Sequence, residues 1–351
     1  MMLKELTLWS EKLKDGVALA QTFYQAHGAK LPTHVKKIAF VGMGGSGIAG
    51  RIIKTFLDRR PEIETFILDS PLIPAHISTD TLAIVMSYSG NTWETLDVLA
   101  TLTEKFIPTM VIGHGGRAIE IAEQKGLPFI LMPESKTPRT ALGVFLGFLA
   151  TLFDKMGIFP GNTMVLGWIK NAEKYVPAMV EGHFYKDFLD IVNGYDFFHV
   201  WGVAGDSDAV AYRATTQFNE NSKQQAVFNQ FPELCHNLIV GFEQAAKNPL
   251  VVLFSTDFLP AHLNIAIEAT SQILREKRVI LYKPPVLGDT FDSQLLCMIL
   301  WADFASYHVG QARGVVLSTG AGFGIPIFEY QGLSVKLTLT GSGKADKKEI
   351  Q

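Results

Sequence analysis

Two short stretches of the sequence carry groups suited to holding a phosphate. The first is Gly42-Met43-Gly44-Gly45-Ser46-Gly47, set between an apolar run and a helix-like run. The second, Ser87-Tyr88-Ser89-Gly90-Asn91-Thr92, has the same setting. Backbone N–H groups at a glycine turn ahead of a helix attract phosphate, and the helix dipole adds to the attraction. Gly44 and Gly45 offer backbone donors, while Ser46, Ser87, Ser89 and Thr92 offer hydroxyls. Together they make a neutral cradle for a single phosphate monoester. Two other readings stay open here. The first stretch also fits the G-x-G-x-x-G of dinucleotide sites, with Asp69 close to where a ribose-binding acid belongs. That nicotinamide oxidoreductase reading has no use for the hydroxyls of the second stretch. A purely structural reading makes the first a tight strand–helix turn and the second a set of N-cap residues, although one hydroxyl suffices for capping.

For the two turns to meet, each must lie at the carboxyl end of a strand in one parallel sheet. The chain supplies such strands. Residues 36–42, "ETFILDS", 81–87, "TMVIG" and "PFILM" are apolar runs without alternation, as expected of strands covered on both faces. Helix-like segments run to Leu57 and through "NTWETLDVLATLTEKF". After about residue 160 the order restarts: strand at 196–205, helix through "DAVAYRATTQFNE", strand at 248–256, helix in "LNIAIEATSQILREK", strand in "RVILYK". "IAFVGMGGSG" matches "FHVWGVAGDS", and "LAIVMSYSG" matches "LVVLFSTDF", which reads as two copies of one α/β unit. The second copy has lost hydroxyls in both loops, so only the first is expected to bind phosphate. The expected fold class is α/β, with two flavodoxin-like, doubly wound parallel-sheet domains in tandem. An N-terminal helical segment covers 1–34, the phosphate-binding domain 35–155 and the second domain 156–324. Residues 341–351 read as a disordered tail.

Composition narrows the partners. The 351 residues are 48% apolar and 19% charged, and 31 basic against 34 acidic side chains leave a net charge of −3. That balance argues against nucleic acid or an anionic membrane as the main partner. Cys235 and Cys297 stand in dissimilar contexts, with neither a disulfide framework nor a zinc spacing, so a reducing cytoplasm is the expected compartment. The first residues interleave charges with Leu3, Leu6, Trp9 and Leu13, an amphipathic helix rather than a signal core. The apolar run 141–153 is too short to span a bilayer and reads as a buried helix.

"GMGGSG" with "SYSGNT" resembles the sugar isomerase (SIS) domain, and two such domains in tandem resemble the phosphoglucose isomerase superfamily. "PRTALG" at 138–143, "NENSK" at 219–223 and "PELCHN" at 232–237 are similar to the compact bifunctional phosphoglucose/phosphomannose isomerases. The resemblance runs over roughly residues 35–340. It implies two SIS-type domains and aldose–ketose isomerisation of glucose 6-phosphate and mannose 6-phosphate to fructose 6-phosphate, a step of carbohydrate metabolism. It implies no metal and no organic cofactor, and a homodimer. It places the catalytic base at Glu220. It places a ring-opening histidine at His236, completing the neighbouring subunit's site, and an enediolate-stabilising arginine at Arg139. These types suit the chemistry: one carboxylate carries a proton between C1 and C2, an imidazole titrates near neutrality, and a guanidinium keeps its charge beside an oxyanion. The resemblance also implies a C-terminal helix over 325–340 with a ring-opening lysine, Lys336, ten residues after Pro326; Lys344, Lys347 and Lys348 are rivals. Trp93, where the family usually has an acid, and Cys235, where an asparagine commonly precedes the histidine, depart from the pattern and bear on epimer preference. A non-catalytic sugar-phosphate sensor with the same cradle is the alternative. It has no use for Glu220, His236 and Arg139 in those roles.

Overall fold

The computed structural model describes residues 2–135, 138–159, 163–243 and 248–315, with the backbone of 327–331 and 334–338. Two helices, α1 (Met2–Leu6) and α2 (Trp9–His27), open the chain. Strands and helices then alternate: β1 (Lys37–Val41), α3 (Gly44–Leu57), β2 (Glu64–Leu68), β3 (Thr81–Met86), α4 (Trp93–Glu104), β4 (Thr109–Gly113), α5 (Gly116–Lys125) and β5 (Phe129–Leu131). These five strands are parallel, in the order β2-β1-β3-β4-β5, the doubly wound arrangement. β3 and β4 are buried along their whole length, which is why their sequences run apolar instead of alternating.

The pattern then repeats. After α6 (Leu142–Lys155), α7 (Thr163–Val180) and α8 (Lys186–Val192) come β6 (Phe197–Val203), α9 (Asp208–Gln217), β7 (Gln225–Phe231), β8 (Leu250–Leu253), α10 (Ala261–Glu276), β9 (Leu281–Tyr282) and α11 (Phe291–Ala312). β7-β6-β8-β9 is again parallel and follows the order of the first sheet. The chain is therefore α/β with two doubly wound sheets.

Contacts divide the chain into two units, and the division is not linear. One unit is Met1–Ala26, Arg51–Pro61 and Thr140–Leu317; the other is His27–Gly50, Glu62–Arg139 and Ser318–Gln351. The expected boundary at residue 155 moves accordingly, since α6 belongs to the larger unit. The reason is packing. α6 is buried on every side from Leu142 to Phe153. It meets α2 backbone to backbone: a Cβ on Gly16 would stand 2.3 Å from the Val144 carbonyl, and one on Gly147 2.3 Å from the Leu13 carbonyl. Lys12, on the same face of α2, is buried and donates to the Glu5 carbonyl, the Glu5 carboxylate and the Thr140 carbonyl at 2.9–3.0 Å.

A second correction concerns the end of the chain. Where a helix was expected over 325–340, β10 (Ile327–Gln331) and β11 (Ser334–Thr338) pair as an antiparallel hairpin. The aromatic and β-branched residues of the two segments favour this over a helix. The tail expected over 341–351 lies outside the described residues. Among the described residues no helix is long and apolar enough to cross a membrane.

The larger unit buries His308 and half-buries His199 at cost. His308 on α11 is 6% exposed, and its Nε2 lies 3.3 Å from the Met179 carbonyl. Burial holds its imidazole below the ordinary value, against the pull of the Met179 and Val180 backbone. Burial also lowers His199, against its hydrogen bond with Asn229. As pH falls below about 6.5, the ordinary imidazole value, the unfolded chain takes up these protons first and the folded state loses stability. The Tm of the wild type is expected to fall across this window, and that of His308→Gln to fall less. Equal pH slopes for the two proteins in thermal melts would contradict this account.

Candidate functional site

The first cradle is assembled in the smaller unit from three turns. At the β1–α3 turn Gly44 takes φ +51°, and a Cβ on Gly47 would stand 2.3 Å from the Gly42 carbonyl. At the β3–α4 turn Gly90 takes φ +68°, where a Cβ would collide with the Gly115 carbonyl at 1.8 Å. The third turn, Gly115-Gly116 between β4 and α5, went unread in the sequence. It buttresses the second: the Arg117 N–H donates to Asn91 Oδ1 at 3.0 Å, and His114 stacks on Tyr88 with centroids 5.3 Å apart. A glycine pair one residue beyond a strand was the available signal.

The hydroxyls are arranged as donors. Ser46 Oγ accepts from the Tyr88 N–H at 3.0 Å, Ser89 Oγ accepts from the Asn91 N–H at 3.3 Å, and Thr92 Oγ1 faces Ser87 Oγ at 3.4 Å. A hydroxyl that accepts one bond still has its own hydrogen to give. Thr92 is the N-cap of α4, yet its side chain makes no capping hydrogen bond. Capping therefore does not account for this cluster. Ser87 is 2% exposed, so it acts beneath Thr92 rather than at the surface of the cradle. Arg139, in a single 3-10 turn Pro138–Ala141, comes to the same place: its Cα would lie 3.4 Å from a Cβ on Gly45. Gly44, Gly45, Ser46, Ser87, Ser89, Thr92 and Arg139 are thus gathered around the ends of β1 and β3.

The second copy keeps the turn and fills it. Val41 pairs with Val85 in the first sheet, as Trp201 pairs with Leu253 in the second, so Ser46 corresponds to Asp206 and Tyr88 to Thr256. Where Ser46 takes the Tyr88 N–H, Asp206 Oδ2 takes the Thr256 N–H at 3.1 Å, and its Oδ1 takes the Thr256 hydroxyl at 2.5 Å. Ser207 Oγ donates to the Phe254 carbonyl at 2.8 Å and accepts from the Val203 N–H at 3.1 Å. The second copy has thus lost hydroxyls in both loops, with Asp206 in place of Ser46, Asp257 in place of Ser89 and Pro260 in place of Thr92, and the hydroxyls of Ser207 and Thr256 are committed internally, around a carboxylate belonging to the chain itself.

Glu220 and His236 belong to the larger unit. Glu220 is exposed on a π-helical turn, Phe218–Ser222, that ends α9. His236 is exposed at the end of a 3-10 turn, Glu233–His236. Cys235 turns the other way, its Sγ 3.6 Å from Thr270 Oγ1 on α10, so this departure is a packing contact. Trp93 opens α4. Lys336 lies on β11, opposite Glu329 in the ladder, not on a helix. Among the described residues no group of three or more His, Cys, Asp or Glu could hold a metal ion.

Asp206→Ala leaves the buried Thr256 N–H without its acceptor and removes the partner of the Thr256 hydroxyl. Each such loss costs roughly 1–3 kcal/mol. The urea midpoint is expected to fall accordingly with the m-value unchanged; an unaltered midpoint would show that the carboxylate does not hold this turn.

The profile of the bacterial phospho-glucose isomerase C-terminal SIS domain matches residues 190–316. A second profile, that of the crossover junction endodeoxyribonuclease RuvC, matches residues 302–351, a stretch that takes in Lys336. The chain is 33% identical to the bifunctional phosphoglucose/phosphomannose isomerase of Caldicellulosiruptor bescii over 60% of this chain and 63% of that one. It is 30% identical to the protein of the same name from Thermoplasma volcanium over 80% of this chain and 86% of that one. Among solved structures, the C-terminal domain of glucosamine-fructose-6-phosphate aminotransferase from Francisella tularensis superposes with a TM-score of 0.65 at 14% identity, covering 91% of this chain and 97% of that one, a likeness of fold alone. With a doubly wound pair of sheets, a donor-rich cradle at the first and this identity over most of a relative's length, the chain belongs to the bifunctional phosphoglucose/phosphomannose isomerase family.

Proposed function

We propose that the protein interconverts glucose 6-phosphate and mannose 6-phosphate with fructose 6-phosphate through a cis-enediolate, acting as a cytoplasmic homodimer. Family membership supports the reaction class. Among the chain's own residues, the observation that carries it is the cradle: Ser46, Ser89 and Thr92 each accept a hydrogen bond and keep a hydrogen to donate, beside two helix starts. Neutral donors at a helix N-terminus suit a phosphate monoester, which fixes the sugar in register for chemistry at C1 and C2.

The remaining roles follow from what the reaction requires. His236, contributed to the neighbouring subunit's site, assists ring opening as acid or base. Glu220 removes the C2 proton of the open aldose and returns it to C1 of the enediolate, so no net proton is consumed. Arg139 holds a permanent positive charge for the enediolate oxygen. Ring opening is not assigned to Lys336. The family pattern asks for a helical lysine there, while this one stands on a strand in a segment that also matches a different family.

A coupled assay on fructose 6-phosphate, with glucose and mannose 6-phosphates detected separately, tests the reaction. Binding without turnover would leave a sugar-phosphate sensor. Ser87→Ala with Ser89→Ala is expected to raise KM at least about tenfold, the loss of one or two net hydrogen bonds to a charged group. An unchanged KM would move the phosphate elsewhere. Glu220→Gln is expected to lower kcat about 10²–10⁴-fold with little change in KM. Deuterium at C2 of glucose 6-phosphate is expected to slow the wild type and to appear partly at C1 of the product. Near wild-type kcat and transfer in Glu220→Gln would remove Glu220 from the base role.

A further inference from the structure

The segment that carries Glu220 is not a continuation of α9. Seven residues make about two turns of an α-helix, so an unbroken helix would stack Glu220 over Arg213. Arg213 faces α11, where its Nε and Nη2 meet the Asp303 carboxylate at 2.9 and 3.1 Å, with both side chains at most 1% exposed. A glutamate continuing on that face would be buried against the helix. The chain widens instead into the π turn Phe218–Ser222, which leaves Glu220 exposed while Asn221 and Ser222 are fully buried. One-turn π-helices of this kind occur mainly as insertions within helices and often at functional sites.

The wide turn is held from both sides. Asn221 Nδ2 donates to Gln217 Oε1 at 3.0 Å and to Ser306 Oγ on α11 at 2.9 Å. The Ser306 hydroxyl donates in turn to the Asp303 carbonyl at 2.9 Å. Asn219 reads the Ala226 backbone as a strand would, donating to its carbonyl and accepting from its N–H at 3.0 Å each. Lys223 closes the turn at φ +53°. α11 itself approaches so closely that a Cβ on Gly310 would lie 2.7 Å from the Asn221 carbonyl.

We propose that Asn221 and Ser306 are positioning residues for the isomerisation: their hydrogen bond anchors the π turn to α11 and sets where the Glu220 carboxylate stands over the C1–C2 bond. This rests on the reading of Glu220 as the base. Neither side chain is open to substrate, since both are fully buried. Their effect passes through the backbone between residues 220 and 221. Displacing a catalytic group by about 1 Å can cost about 10²-fold in rate.

The test is a double-mutant cycle read through isotope transfer. Asn221→Ala is expected to lower kcat about 10²-fold with KM within about threefold of wild type. It is also expected to lower the fraction of C2 deuterium delivered to C1, because a carboxylate set back from the enediolate exchanges with water. Partial unfolding lowers kcat but leaves that fraction unchanged. In the Glu220→Gln background, Asn221→Ala is expected to have almost no further effect on kcat, since groups acting as one unit are not additive. Ser306→Ala and Gly310→Ala disturb the same turn through the partners of Asn221, leaving residue 221 itself unsubstituted, and are expected to give the same lowered transfer. Full additivity of the two losses, or wild-type transfer in all three single variants, would overturn the positioning role. A Glu220→Gln single variant at wild-type kcat overturns the base reading, and with it this proposal.

Discussion

Both sheets depend on how closely a helix can begin to the end of the strand before it. At Gly47, in the first turn of α3, a Cβ would lie 2.3 Å from the Gly42 carbonyl, and at Gly202 any Cβ would lie 2.7 Å from the Asp208 Cα. No side chain fits in either place, so glycine there is a requirement of packing. The close approach delivers the first-turn N–H groups of α3 and α9 to the carboxyl edge of their sheets. An electropositive corner results in each copy, and the chain must put something in it or leave it for a ligand.

The two copies resolve that corner differently. In the first, Ser46 takes the N–H of Tyr88 and keeps a hydrogen to donate. In the second, Asp206 places a carboxylate there and ties it to both donors of Thr256. A neutral hydroxyl leaves the positive field uncompensated, whereas a carboxylate quenches it. A few side-chain differences at corresponding positions, Ser46 to Asp206, Gly47 to Ser207 and Tyr88 to Thr256, separate a cradle from a self-filled turn, while the strand order around it stays the same.

The interior of the larger unit is more polar than its apolar helices suggest. Arg213 and Asp303 form a buried bidentate pair, and the Asn221–Ser306 contact continues the polar path along α11. A buried ion pair is weak evidence for stability, because desolvation offsets most of the attraction. Such a network does fix register: α9, the π turn and α11 can satisfy these groups in few arrangements. The same α11 that packs the unit therefore also constrains the loop bearing Glu220.

The strands, the repeat and the glycine turns ahead of helices were legible in the sequence because each rests on local chemistry. A doubly covered strand is an unbroken apolar run, and a glycine turn before a helix is written in consecutive residues. "NENSK" and "PELCHN" were legible only as likeness to a family, since an exposed glutamate and an exposed histidine carry no periodic signal. What the sequence by itself determined was therefore the α/β class, the tandem copies and the donor-rich first cradle. The tertiary structure alone decided that α6 packs with α2, through glycines far apart in the chain, and that 327–331 pairs with 334–338. It alone showed that Asp206 fills the second turn and that a π turn carries Glu220 off the buried face of α9. These depend on which distant atoms meet, and no local pattern of residues encodes a contact made across a sheet or between helices.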